Sequence, residues 1–300
     1  MTAPIHGGFT EREMRHVLDQ ACQATDLDPT GAVLLRGQTN AVLQLAAQPV
    51  IVKIARRGTD PSRVLLTVEF VRWLMDLGFP TVALHQPDDQ PVVVNGHAVT
   101  FWTYLPQPTE PVPADALAKP LCTLHSLSTP PVPLQRLDAV AAIRSSLRKT
   151  TCLSSADMRF LNQRVDDLEI DLSNLRFGLT PNAVLQGDPQ HGNALHAGNG
   201  TVLCDWDSAV IGPPEWDLVT VEVHCRRFGY GTAHYVQFAE AYGWDVTAWE
   251  GYGVLRDLRE LRMITTNARK SAHEPAKTAE VNYRIEGIRT DDTARIWHIL

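Results

Sequence analysis

Short apolar runs separated by turn residues fill the first third of the chain. Val33-Leu34-Leu35, Ala41-Val42-Leu43-Gln44-Leu45 and Val50-Ile51-Val52-Lys53-Ile54 have the length and β-branched content of strands, and their close spacing predicts an antiparallel meander. Two helices flank it. Thr10-Glu11-Arg12-Glu13 has the spacing of a capping box and predicts a helix to about Thr25; Thr59-Asp60-Pro61 opens a second, with Val64, Leu65, Val68, Val71 and Leu74 at helical spacing, that stops at Gly78-Phe79-Pro80. Val92-Val93-Val94 and the run from Ala98 to Leu105 are joined by Asn95-Gly96, the strongest short hairpin signal. The proline-rich stretch from Pro106 to Pro113 interrupts every pattern and divides the chain into lobes at 1–105 and 106–300. Beyond it the periodicity is helical, near 114–128, 136–149, 155–173, 215–228, 232–243, 247–271 and 276–298.

One non-helical stretch breaks the second lobe, and it carries the chemistry. Gln186-Gly187-Asp188-Pro189-Gln190-His191-Gly192-Asn193 is followed by two apolar runs around Gly198-Asn199-Gly200, and then by Leu203-Cys204-Asp205-Trp206-Asp207. A hairpin centred on Asn199 pairs position 193 with 205. Directly opposed residues have Cβ atoms roughly 4.5–5.5 Å apart, so the Asn193 amide oxygen and the Asp205 carboxylate could meet at one cation. Asp188, held in a loop by Gly187 and Pro189, is the candidate base for an acceptor hydroxyl. An ATP-dependent phosphotransferase needs such a carboxylate and two oxygen ligands for Mg²⁺. Singly, each of these residues is as readily a turn former; jointly, chance explains them poorly. His191 is a rival base, Asp207 an extra acid on the same strand face, and Asp217 reads as a helix-start acid.

Lys53 lies inside an apolar run, where an ammonium is costly without a partner, and Glu69 sits mid-helix after it. A strand lysine paired with a helix glutamate, both serving a nucleotide, is the kinase arrangement; a solvated edge-strand lysine and a surface glutamate are the plain alternative. The Leu35 to Asn40 connection, with Gly37, Thr39 and Asn40, could lay backbone N–H groups over phosphates, although a plain turn accounts for it as well. No G-x-x-x-x-G-K-[ST] is present, which excludes a P-loop; no Asp-Phe-Gly or Ala-Pro-Glu follows Asp205, which argues against a protein kinase.

Composition narrows the partners. Three hundred residues with 44% hydrophobic and 20% charged content suit one large or two moderate globular domains. A net charge of -7 argues against nucleic acid and is compatible with a cationic small molecule. Five scattered cysteines without C-x-x-C spacing indicate neither a disulfide framework nor a zinc site. No long apolar stretch or signal-like N-terminus is present, so no membrane partner is expected and the location expected is cytoplasmic.

The motifs resemble those of the aminoglycoside phosphotransferase-like kinases, relatives of choline kinases. That family's His-Gly-Asp-x4-Asn, hydrophobic-Asp-Trp and Gly-x-Pro-x3-Asp-Leu patterns look like Gln186 to Asn193, Leu203 to Trp206 and Gly212 to Leu218, and its leucine-histidine helix looks like Leu121 to His125. The resemblance implies an α+β, bilobal protein-kinase-like fold, with a small antiparallel β N-lobe and a larger, mainly helical C-lobe. Carried over by position, it makes Asp188 the catalytic base, Asn193 and Asp205 the Mg²⁺ ligands, Lys53 the phosphate lysine and Glu69 its ion-pair partner. The strand end Thr103-Tyr104-Leu105 becomes the hinge against the adenine. ATP is the expected cosubstrate, with GTP open. Gln186 departs from the pattern, replacing a loop-bracing histidine with a side chain that can still donate and accept hydrogen bonds. The acids and aromatics of the C-terminal helices, among them Glu222, Glu240, Asp245, Glu250, Asp257 and Glu260, suit an amine-bearing acceptor of the aminoglycoside class; arginines on the same helices offer surface pairing as the alternative. A kinase for choline, a sugar or an amino-acid alcohol is the first rival, and a catalytically silent nucleotide-binding module the second.

Overall fold

Thr10 caps the first helix as its spacing predicts: its hydroxyl accepts the Glu13 N–H at 3.1 Å, the reciprocal geometry that satisfies an orphan donor at a helix start. The computed structural model describes residues 9–37, 40–85, 90–198, 200–271 and 275–300. In chain order the strands are β1 (Val33–Arg36), β2 (Ala41–Gln44), β3 (Val50–Ile54), β4 (Val92–Val94), β5 (His97–Thr103), β6 (Ala183–Leu185), β7 (Ala194–Ala197), β8 (Gly200–Leu203) and β9 (Val210–Gly212). The α-helices are α1 (Glu11–Ala24), α2 (Pro61–Asp76), α3 (Ala114–His125), α4 (Ala139–Arg148), α5 (Ser155–Ser173), α6 (Glu215–Arg227), α7 (Thr232–Tyr242), α8 (Tyr252–Lys270) and α9 (Pro275–Arg289).

These elements form two compact units. The first holds the described residues up to Pro111, together with 129–134 and 194–209. Its sheet runs β1-β2-β3-β5-β4 with every neighbour antiparallel, the expected meander extended by the Asn95-Gly96 hairpin. Val94 pairs with His97, and positive φ at both Asn95 and Gly96 gives the turn whose twist matches the strands. Along β3, Val50, Val52 and Ile54 are buried against Met14, Val17 and Leu18 of α1 in one core cluster; Ile51 and Lys53 alternate to the other face. That alternation is what leaves Lys53 available to a site.

The second unit holds 112–128, 135–193 and 210–300 and is mainly helical. At its centre lies α6, buried on all sides from Glu215 to Cys225, so each polar group on it needs a partner inside the protein. The β6–β9 ladder, which the sequence pattern did not reveal, pairs Leu185 with Val210 and delivers the chain directly into the Gln186–Asn193 loop.

Three expectations are corrected. The division at 1–105 and 106–300 does not hold as a contiguous cut, because the β7–β8 hairpin belongs with the N-terminal unit: Leu203 exchanges backbone hydrogen bonds with Pro80 and Val82, both at 2.9 Å, and Trp206 packs edge-on against Phe70 and Phe79. The hairpin register is offset by one residue. Ala194 pairs with Leu203 and Ala197 with Gly200, so the predicted match of 193 with 205 does not form; Asn193 ends a 3-10 turn, His191–Asn193. The helix expected over 247–271 begins as a 3-10 turn at Val246–Ala248, and the last helix ends at Arg289 rather than near 298. There Asp291 takes a left-handed φ of 51° and the Asp292 N–H reaches the Gly287 carbonyl at 2.8 Å, a Schellman-type stop without glycine.

Candidate active site

In the N-terminal unit, Lys53 is clasped by two carboxylates. Its ammonium lies 2.8 Å from Asp205 Oδ1 and 2.8 Å from Asp207 Oδ2. Burial opposes the charge, but the two aspartates more than offset it and hold the lysine's proton affinity above its ordinary value. The local fold arranges this. Asp205 adopts φ 57°, ψ 65°, a left-handed conformation that aspartate tolerates better than most residues, and so starts a 3-10 turn over Trp206–Ser208 in place of a continued strand. Trp206, 2% exposed, anchors the turn by donating its indole N–H to Thr81 Oγ1 at 2.9 Å. Asn40 adds a third contact, donating to Asp207 Oδ2 at 3.1 Å while its amide oxygen accepts the Arg56 N–H at 3.2 Å.

The ion pair expected between Lys53 and Glu69 is absent among the described residues: the nearer carboxylates of Asp205 and Asp207 neutralise the lysine instead. Gly37 follows β1, whose register slips at Leu35 in a bulge, while Thr39 lies outside the described residues. Thr103 closes β5 opposite Val50, the Tyr104 N–H donates to the Pro49 carbonyl at 2.8 Å, and the Leu105 carbonyl accepts from Gln107 at 3.0 Å.

In the C-terminal unit, Asp188 sits in a loop built by backbone hydrogen bonds. Gly187 has φ 81°, which a side chain would strain, and turns the chain out of β6. The fully buried Asp217 carboxylate accepts both loop amides, Gln186 N–H at 2.8 Å and Gly187 N–H at 2.9 Å. Behind it, His125 Nε2 lies 3.1 Å from Asp217, and His125 Nδ1 lies 2.8 Å from the Tyr242 hydroxyl. Asp217 therefore braces the loop rather than capping its own helix, a role the sequence could not show because the three partners are remote in the chain. Gln186 takes part too: its Oε1 accepts the Asp188 N–H at 2.7 Å. Trp216 donates its indole N–H to the Gly187 carbonyl at 3.1 Å.

Asp188 itself is ion-paired with Arg259, a 4% exposed residue of α8 whose burial no local sequence signal marks. Asn193 donates its side-chain N–H to the Asp188 carbonyl at 2.9 Å, so its amide nitrogen is the end turned toward the loop backbone. Within the N-terminal unit, the half-exposed Asp205 and Asp207 carboxylates are hard donors of the kind Mg²⁺ takes. His191, the rival base, is buried and stacked on Tyr230 at 3.9 Å, and burial with the neighbouring His234 pushes it down to about 4, which weakens it as a proton acceptor. With Cys225 and His234 it forms a group whose ligand-type atoms lie within 4.8 Å of one another. The 2.7 Å separation of the two Nε2 atoms is of hydrogen-bond length, burial keeps both imidazoles neutral, and burial pushes the Cys225 thiol up to about 12.

Residues 31–286 match the family model described as "Phosphotransferase enzyme family". The fold is similar to the amicoumacin kinase hAmiN in complex with AMP-PNP, Ca²⁺ and Ami (TM-score 0.71, 14% identity, 96% of this chain and 98% of that one). It is also similar to a microcompartment-associated aminopropanol kinase (0.71, 15%, 93% and 99%) and to the choline kinase LicA from Streptococcus pneumoniae (0.69, 17%, 92% and 99%). No curated protein sequence matches the chain.

Proposed function

Since the chain belongs to the phosphotransferase enzyme family, we propose that it transfers the γ-phosphate of ATP, with Mg²⁺, to a hydroxyl of a small molecule, and that Asp188 is the catalytic base. The observation that carries this is the loop: three separate hydrogen bonds to Asp217 and Gln186 fix the backbone on which Asp188 stands. A base of this kind works by position more than by strength. In the reaction the acceptor oxygen bonds to the γ-phosphorus, the bond to the β-phosphate oxygen breaks, and the hydroxyl proton passes to Asp188, giving ADP and a phosphate ester. Lys53 is proposed to hold nucleotide phosphates, and Asn193 and Asp205 to supply oxygens to the metal, whose chemistry is to neutralise phosphate charge. The Gly37 to Asn40 segment and the Thr103-Tyr104-Leu105 strand end are proposed to line the nucleotide. GTP is the alternative cosubstrate.

An aminoglycoside-like antibiotic and a metabolite such as choline, a sugar or an amino-acid alcohol are the acceptor classes to set against each other, and a silent nucleotide-binding module is the reading to exclude. Asp188→Asn tests the proposal cleanly, because the amide preserves shape beside Arg259 while removing the base. Measured by ADP release with Mg·ATP and an accepted substrate, it lowers kcat by at least about 10²-fold with nucleotide binding retained. Near-normal turnover by this variant, or wild-type turnover unaffected by removing Mg²⁺, would overturn it.

A further inference from the structure

We propose that the acceptor carries an anionic group, a carboxylate or a phosphate monoester, that docks on Arg262 and Arg259 beside Asp188. This deepens the kinase reading and rests on it. Arg259 and Arg262 stand one turn apart on α8, and their guanidinium carbons lie 5.8 and 5.7 Å from the ring of the same residue, Trp216. Trp216 is the indole that holds the Gly187 carbonyl, so both cations border the loop that carries Asp188.

The charges do not balance there. Asp188 is the carboxylate paired with Arg259, and among the described residues none pairs with Arg262. The Nε of Arg259 is buried without a hydrogen-bond partner, and so is Nε2 of His224, a 6% exposed histidine in the electrostatic reach of Arg259 and Asp188. Burial and the like charge of Arg259 push Arg262 down to about 10, the signature of a cation short of counter-charge. Two guanidinium groups against a single carboxylate leave a net positive charge that suits an oxyanion, which arginine binds through paired N–H groups.

Of the acids that would have welcomed an amine, Glu222, Asp245, Asp257 and Glu260 are already engaged. Glu222 pairs with Arg226, Glu260 with Arg226 and Arg227, and Asp257 with Arg164 and Arg256. Asp245 accepts from the Tyr235 hydroxyl and Thr247, and Glu240 and Glu250 are exposed. An ammonium approaching Asp188 would meet two guanidinium groups; a hydroxylated acid would have its anion held and its hydroxyl left to the aspartate.

Matched acceptors test this on the full-length protein: D-gluconate against D-glucitol, glycerol 3-phosphate against glycerol, and kanamycin and choline as cations. ADP release is followed with saturating Mg·ATP. The anionic member of a pair is expected to show at least about tenfold higher kcat/KM than its neutral partner. Arg262→Gln should raise KM for the anion at least about tenfold with kcat and KM for ATP nearly unchanged, and Arg262→Lys should restore part of the loss. Preference for the cations, or an Arg262→Gln defect that falls on KM for ATP, would overturn the proposal, the latter assigning the guanidinium groups to nucleotide phosphate. Thermal shift separates it from the kinase reading. If nothing is phosphorylated, an Arg262-dependent rise in Tm with gluconate or glycerol 3-phosphate supports the anion site while the kinase reading fails; no such rise overturns the site.

Discussion

At the residue scale, the site is a set of charges whose partners decide their roles. Asp217 reads as a helix-start acid because it follows Gly212-Pro213-Pro214 in the first turn of α6; its actual work, accepting the two amides of Gln186 and Gly187, depends on burial of α6 and is invisible in any local window. Gln186 illustrates the opposite case. Its hydrogen-bonding capacity was legible from residue type, and its Oε1 indeed holds the Asp188 N–H. Asp217→Asn retains volume but leaves one loop amide facing an N–H group. Loss of a buried bond to a charged acceptor is worth about 1.5–3 kcal/mol. If most of that falls on the aligned loop, kcat drops roughly 10–150-fold, with KM for ATP little changed. Steady-state kinetics decide it: a variant that loses ATP affinity at unchanged kcat would show that Asp217 does not position the base.

At the element scale, the apolar pattern identified α1, α2, the five-stranded sheet and most C-terminal helices, because these elements are long enough to repeat it or are bounded by clear turn residues. It missed β6 and β9, each three residues long, since strands that short carry no period. It also placed the β7–β8 register one residue off, because glycine and asparagine at the turn allow more than one loop length. Burial of α6 has a thermodynamic consequence of its own. His224 is held down to about 3, first by burial and then by Arg259, with His191 and Arg284 acting in the same sense and Asp188 opposing. An unfolded histidine titrates near ~6.5, so below that pH the unfolded chain binds a proton that the folded chain refuses. Stability is therefore complete above about pH 6.5 and falls as pH drops toward 3, by up to about 1.4 kcal/mol per pH unit from this residue. His224→Phe, which keeps a ring stacked on Phe228, should flatten the fall of Tm between pH 6.5 and 4.5 by about one proton's worth. An unchanged slope in chemical denaturation across that range would show that His224 is not the group responsible.

At the scale of the whole molecule, the chain crosses from one unit to the other several times, and this is what a reading by contiguous segments could not capture. The first unit runs to Pro111, inside the proline-rich stretch, but 129–134 and 194–209 return to it, the latter contributing Leu203, Trp206 and the aspartates that hold Lys53. That return makes the N-terminal unit dependent on residues specified far downstream. Leu203 is fully buried and Trp206 2% exposed, and loss of a buried tryptophan alone costs about 3–5 kcal/mol, a large share of the stability of a unit this small. A fragment ending at Pro111 should consequently lack a sharp unfolding transition, as followed by far-UV circular dichroism in urea. The same fragment fused through a glycine-serine linker to 194–209 should regain one. Cooperative unfolding of the shorter fragment would mean that the hairpin is an ornament on a self-sufficient domain. The expected result would mean that the Lys53 cluster and the fold of its unit are secured by one and the same segment, so that the pairing of Lys53 with Asp205 and Asp207 cannot form before residues 194–209 have been made.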